Sequence, residues 1–200
     1  MTRERQINVE DEVLVQKWRQ GDMKALERLI GKYQARIYNV IMKICSNPDD
    51  AAELTQDTFV KVIENVNDFQ GRSAFYTWAF RIAVNLTLNY RKRKSVAGWT
   101  SLDALSIGQD EHNTSLAKVL LDEKQPQPGE IAENRELCDL VVKAINRLDD
   151  EQKAIIVLRD IEGMDYAQIA DVLGVEIGTV KSRLSRARAA LRQILEAFIK

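Results

Sequence analysis

DYAQIADVLGVEIGTVKSRLSRARAALR, residues 165 to 192, carries the pattern from which the rest of the chain is read. Asp165 followed three residues later by Gln168 is a capping-box start, in which the carboxylate accepts from an orphan amide and the glutamine reaches back. Gly174 ends the short helix that follows, because glycine takes left-handed backbone at no steric cost. A second helix restarts near Ile177 and keeps Val180, Leu184, Ala187 and Leu191 on one buried stripe. It carries five cations, Lys181, Arg183, Arg186, Arg188 and Arg192, and no carboxylate. Ser182, Ser185 and Arg186 fall opposite the stripe, with Lys181, Arg188 and Arg192 along one flank. Two helices around a glycine turn, the second of one charge sign, form a helix-turn-helix that offers small polar groups and an arginine to base edges and cations to phosphates. A helix that needed only solubility would mix both signs.

Composition bounds the remainder. Two hundred residues, 45% hydrophobic and 30% charged, suit one or two soluble domains. The amino-terminal MTRERQINVEDEV has charge with no apolar run behind it, and no stretch is long enough to span a bilayer, so membrane insertion is not expected and a cytoplasmic location is. Cys45 and Cys138 sit far apart among apolar neighbours, outside any C-x-x-C pair, and read as free buried thiols. His112 is the single histidine and lies in a polar stretch; no metal and no cofactor are expected. The net charge of −1 conceals an uneven distribution. Arg81 and the run Arg91, Lys92, Arg93, Lys94 form one basic patch and residues 179 to 192 another, while residues 103 to 133 are acidic. Two basic patches on one chain imply two nucleic-acid contacts.

The chain divides to match, into an all-α fold of two small helical bundles joined by a flexible linker. Residues 8–94 show helical periodicity broken at Gly21-Asp22, at Ser46 to Asp49 and at Gln70 to Ser73, which predicts four helices. Asp22 caps the second, Asn47 with Pro48 starts the third and Ser73 starts the fourth. Residues 95–129 lose the periodicity and read as linker, with a turn or two of helix around Ser115 to Asp122. Residues 130–200 form the second bundle: a helix to about Arg147, another from Asp150 to Ile161, then the helix-turn-helix.

FQGRSAFYTWAFRIAVNLTLNYRKRK, residues 69 to 94, is the telling segment of the first bundle. Phe69, Phe75, Tyr76, Trp78, Phe80 and Tyr90 crowd into it just before the basic run, and aromatic platforms beside cations hold unpaired bases. Trp78, Asn85 and Asn89 lie within about 20° of one another on a helical wheel. Asparagine amides beside an indole make a poor core, since each buried amide needs a partner. Phe75, Phe80, Ile82 and Leu86 read as ordinary core.

Four segments together resemble the sigma-70 family, and within it the extracytoplasmic-function group: GDMKALERLIGKY (21 to 33), AELTQDTFVKV (52 to 62), the aromatic segment, and the stretch from Leu148 to Arg192. The resemblance implies a factor that binds core RNA polymerase and directs it to promoter DNA. It implies docking on the polymerase clamp helices through Glu53, Leu54, Gln56, Asp57 and Phe59. It implies capture of a flipped −10 base by a pocket that Phe69, Ser73, Ala74, Trp78 and Asn85 build or flank, with Arg81, Arg91, Lys92 and Arg93 on the strand backbone. It implies −35 reading by Lys181, Ser182, Ser185 and Arg186 toward bases and Thr179, Arg183 and Arg188 toward phosphates. Trp78 matches the first of two adjacent melting tryptophans of housekeeping sigma factors; the second position is Ala79, which implies weaker melting and a stricter demand on promoter sequence. Members of the group are commonly held by an anti-sigma factor, so such a partner is expected; a homo-oligomer is not.

Two other functions fit parts of the chain. A stand-alone helix-turn-helix transcriptional regulator would use residues 165 to 192 but needs a dimer interface for paired half-sites, and leaves the aromatic segment unexplained. A metal-dependent nuclease would use Asp49, Asp50 and Glu53, but these carboxylates suit a first helical turn, where the helix dipole favours them. The chain reads as a non-enzyme.

Overall fold

The computed structural model describes residues 3–99 and 131–199, all helices and turns with no strand among the described residues. The first bundle holds α1 (Arg3–Arg19), α2 (Met23–Cys45), α3 (Pro48–Glu64) and α4 (Phe75–Trp99), with a 3-10 turn at Val66–Asp68. The second holds α5 (Ile131–Asn146), α6 (Asp150–Ile156), a π-helical turn at Val157–Ile161, α7 (Tyr166–Leu173) and α8 (Ile177–Ile199).

Local chemistry sets most of the boundaries. Asp22 accepts from the amides of Lys24 and Ala25 at the start of α2, and Asn47 accepts from the Asp50 amide with Pro48 as the first helical residue of α3. The capping box of Asp165 and Gln168 is formed at the start of α7, and Gly174 closes that helix with φ +64°. Ser46 ends α2 in the same left-handed region, at φ +59°.

The sequence expectations fail at three boundaries. α4 starts at Phe75 rather than at Ser73, which provides no side-chain cap. It continues to Trp99, so the basic run is helical and the expected linker begins with helix. Side-chain ties from Tyr90, Arg91 and Lys94 to the other helices hold this end, and no proline interrupts it. The helix expected from Asp150 to Ile161 widens into a π turn from Val157, where Glu162 donates its amide back to the Val157 carbonyl. The turn expected around Ser115 to Asp122 lies outside the described residues.

Two apolar clusters hold the molecule. One lies mainly in the first bundle and includes Leu26, Leu29, Tyr33, Ile37, Ile41, Leu54, Phe59, Phe69 and Phe75, with Val142 joining it from α5. Beside it Asp11, fully buried, accepts from Tyr33 and Lys32. Burial and the facing Asp11 carboxylate push the Tyr33 phenol well above its ordinary value. The other cluster crosses between the bundles. Val40, Ile44, Phe80 and Val84 from α2 and α4 join Ile155, Val157, Leu158, Met164, Ile169 and Val172 from the second bundle, and α4 packs along α7. Cys45 is a free buried thiol, pushed by burial up to about 11; the Cys138 side chain lies outside the described residues.

Candidate nucleic-acid interface

Trp78, Asn85 and Asn89 line one groove on α4 together with Ile82, Leu86 and, from the segment across it, Lys61, Asn65 and Asp68; the groove encloses about 370 Å³. Its floor is apolar and its rim polar. Trp78 is half-buried, braced by Phe69 at 5.3 Å and Phe75 at 5.8 Å between ring centroids. Asn85 and Asn89 are exposed, and their amides have no partner among the described residues. Phe69 is buried at 4% exposure, so it supports the tryptophan from beneath and presents no ring of its own. Arg19 fixes the loop that carries it, donating to the Val66 and Phe69 carbonyls. Ser73 and Ala74 are half-buried in the turn before α4.

The cations of α4 are unequally occupied. Arg81 turns toward the second bundle, where its Nε donates to the Asp171 carbonyl at 2.6 Å and its Nη2 to the Asp171 carboxylate at 2.8 Å. Arg91 donates to Asp150 at 3.0 Å. Lys94 binds Asp50 at 2.8 Å, and Asp50 also accepts from the Tyr90 hydroxyl. Lys92 and Arg93 are exposed.

On α8, Val180, Leu184 and Ala187 are buried and Leu191 half-buried, which turns Lys181, Ser182, Ser185 and Arg186 outward. Two flanking arginines are braced by acids of their own bundle: Arg183 by Glu151 at 3.0 Å, and Arg188 by Asp160 through a forked pair. That pair holds the Arg188 guanidinium above its ordinary value. Thr179 is half-buried and lines a groove that also contains Arg81 and Asp171.

On α3, Glu53, Gln56 and Asp57 are exposed along one face, whereas Leu54 and Phe59 point into the first core at 4% and 9% exposure. These two therefore set the orientation of the face and offer no surface to a partner. Val60 and Ile63, which sequence reasoning passed over, extend the same face at 45% and 43% exposure. Their signal was available: α3 buries Ala51, Leu54, Thr55, Thr58, Phe59 and Val62, and Val60 and Ile63 are apolar residues outside that stripe. Asp49, Asp50 and Glu53 do not converge, since Asp50 is engaged by Tyr90 and Lys94, and no group of three such side chains is gathered among the described residues.

Residues 29–96 match the family model of sigma-70 region 2, and residues 138–191 that of sigma-70, region 4. The ECF RNA polymerase sigma-E factor of Haemophilus influenzae is 32% identical over 189 residues, covering 94% of this chain and 97% of that protein. The sigma-E factor of Escherichia coli K12 is 30% identical over 191 residues, covering 95% and 96%. Among solved structures, the sigma factor RpoE in complex with the anti-sigma factor NepR from Bartonella quintana superposes with a TM-score of 0.63 at 25% identity, over 86% of this chain and 98% of that one. CnrH in complex with the cytosolic domain of CnrY gives 0.65 at 24% identity, over 94% and 98%, a likeness of fold. With the two region models matched in order and its relatives aligned nearly end to end, the chain belongs to the sigma-70 family, as a sigma factor of the extracytoplasmic-function group.

Proposed function

We propose that this sigma factor docks on core RNA polymerase through the exposed face of α3, captures an unpaired −10 base in the α4 groove and reads −35 duplex DNA with α8. The observation that carries this reading is the pair of unpartnered amides of Asn85 and Asn89 above a floor of Trp78, Ile82 and Leu86. A flipped base needs an apolar or aromatic surface for its face and hydrogen-bonding groups for its edge, and the groove offers both. Lys92 and Arg93, exposed at the end of the same helix, follow the strand backbone; Arg81 and Arg91 join them once released from Asp171 and Asp150. The protein contributes binding and no bond chemistry.

Glu53, Gln56, Asp57, Val60 and Ile63 give the docking face a mixed apolar and acidic character, suited to a partner that meets it with apolar side chains bordered by cations. On α8 the outward Lys181, Ser182, Ser185 and Arg186 face base edges in a major groove, and Thr179, Arg183 and Arg188 lie on the flank, toward phosphates. Glu151 and Asp160 restrict the side-chain freedom of the two arginines before DNA arrives, which reduces the entropy lost on binding. An anti-sigma factor is a further partner, supported by the NepR complex of the similar RpoE. The site of action is the cytoplasm; no described helix is long and apolar enough to cross a membrane.

The test is run-off transcription from a genomic fragment library with reconstituted holoenzyme. Specific transcripts are expected only when core polymerase and this chain are both present. Tight, specific duplex binding by the chain alone, with no transcripts on adding core, would instead identify a stand-alone regulator.

A further inference from the structure

The two walls of the α4 groove differ in their hydrogen-bonding groups. On the α4 side stand the amides of Asn85 and Asn89, each able to donate or to accept. The facing wall is the segment from Lys61 to Asp68, and its polar groups are unequally occupied. Lys61 donates to Glu64 at 2.7 Å, and its carbonyl takes the Asn65 side-chain amide at 2.7 Å, so the donors of both residues are engaged within the wall. Asp68 is exposed, and its carboxylate has no hydrogen bond or ion pair among the described residues. Its place is nevertheless fixed. The Asp68 amide donates to the Asn65 carbonyl at 3.0 Å, and Arg19 holds the carbonyls of Val66 and Phe69 to either side of it.

An ionised carboxylate accepts hydrogen bonds and cannot donate them. Beside a polyanionic strand it also repels phosphates, a cost that a donor on the captured base offsets. Cytosine, adenine and guanine each carry an exocyclic amine, whereas thymine presents carbonyls and a methyl group. Its one ring N–H lies between two carbonyls, so every approach that donates it brings a carbonyl oxygen toward the carboxylate. We infer that Asp68 selects the captured base, admitting one with an exocyclic amine and rejecting thymine. This rests on the base-capture reading of the groove and adds to it the chemical class of the base. Asn85 and Asn89 can present either polarity, so they hold the remaining edge of whichever amine-bearing base enters. Discrimination lies with the group that has one polarity only.

The experiment uses holoenzyme reconstituted from the full chain and core polymerase, on a promoter fragment recovered by run-off transcription. A mismatched template strand keeps the −10 region unpaired, so that melting does not enter, and each non-template position carries each of the four bases in turn. At one position the wild type is expected to give about tenfold fewer transcripts with thymine than with the best amine-bearing base, the scale of one wrong base. Asp68→Asn, whose amide can donate to a thymine carbonyl, should cut that deficit to about twofold or less and leave the other positions unchanged. Replacing the best base by its analogue with hydrogen in place of the amine should cost the wild type about tenfold and Asp68→Ala about twofold or less. Both variants are expected to melt with the wild type, because the side chain is exposed and unpartnered. A thymine deficit that persists in Asp68→Asn, an amine deletion that costs Asp68→Ala as much as the wild type, or thymine accepted at every position by the wild type would overturn the assignment. Asn85→Ala separates this from base capture. A preference at one position that Asn85→Ala shifts and the Asp68 variants do not would leave capture in place and remove the selection by Asp68; a −10 profile that none of these variants alters would remove both.

Discussion

Tyr90 donates its hydroxyl hydrogen to Asp50 at 2.7 Å, joining the middle of α4 to the first turn of α3, and Lys94 one turn on binds the other carboxylate oxygen at 2.8 Å. α3 and the basic end of α4 are thus tied at a single carboxylate. Burial alone would push that carboxyl up, but the donors Lys94 and Tyr90 outweigh it and hold Asp50 below its ordinary value. A depressed carboxyl stabilises the fold above the unfolded value, and the contribution is lost as pH falls through the folded one. Asp50→Ala is expected to cost about 1–2 kcal/mol at pH 7, the scale of charge-assisted hydrogen bonds, and to flatten the loss of stability below about pH 4. Urea titrations at pH 7 and between pH 3 and 4.5 measure both.

Lys153 gives a dependence of the same sign at higher pH, as a cost relieved rather than a contribution gained. Burial, reinforced by the nearby Arg91 cation and only partly opposed by Asp150 and Cys45, pushes its ammonium down to about 8. Lys153 donates to the Ser46 hydroxyl at 3.3 Å and to the side-chain amide oxygen of Asn146 at 3.4 Å. The folded state therefore binds fewer protons than the unfolded one, so stability rises with pH from about 8 toward the ordinary lysine value of about 10.4. Lys153→Met should stabilise the chain at pH 7 by about 3 kcal/mol at most, and the gain should shrink to nothing by about pH 10.4. Thermal melts of the two proteins at pH 7, 9 and 10 suffice.

Asn85→Ala should leave the melting temperature nearly unchanged, within about 1 kcal/mol, because the side chain is exposed and unpartnered. It should impair open-complex formation on duplex promoters far more than on templates already unpaired at −10, as read by permanganate footprinting. Phe69→Ala, by contrast, removes buried support under Trp78 and should cost about 3–5 kcal/mol of stability. Equal loss on every template together with a lowered melting temperature for Asn85→Ala would remove the residue from the base-capture site.

On α8, Arg186→Ala should cost about 1–3 kcal/mol and relax preference at one or two −35 positions, while Arg188→Ala weakens all sequences alike. Asp160→Ala should resemble Arg188→Ala in milder form, since it frees that guanidinium without removing it. Promoter selection from a randomised −35 library distinguishes these profiles.

Asp57→Arg should abolish holoenzyme assembly with the fold intact, as a reversed charge at a packed interface costs several kcal/mol. Ile63→Asp is expected to weaken assembly through the apolar part of the same face and, at 43% exposure, to leave stability nearly unchanged. Co-purification with core polymerase, with circular dichroism as the fold control, decides both.

What could be read in the sequence was chiefly what is decided within a few residues. The caps at Asp22, Asn47 and Asp165 and the stop at Gly174 are local hydrogen-bond and backbone choices, and they stand where their residue types put them. The stripe of Val180, Leu184 and Ala187 is a period that a single helix imposes. The extent of α4 was not legible, because Tyr90, Arg91 and Lys94 are held by Asp50 and Asp150, residues 40 or more positions away. On α3 the apolar residues outnumber one face, so periodicity alone could not decide that Leu54 and Phe59 go inward while Val60 and Ile63 stay out. Arg81 looked like one more strand-binding cation; only the packing of α4 along α7 gives it Asp171.

The apolar cluster shared by the two bundles also has a consequence for biosynthesis. Val40, Ile44, Phe80 and Val84 leave the ribosome well ahead of the Val157 and Leu158 they pack against. With roughly 74 residues between Val84 and Leu158 and translation at about 5–20 residues per second, the nascent first bundle presents that sticky face for roughly 4 to 15 seconds. A truncated chain ending near residue 99 would present it permanently. Such a fragment should aggregate or recruit chaperones where the full-length protein does not.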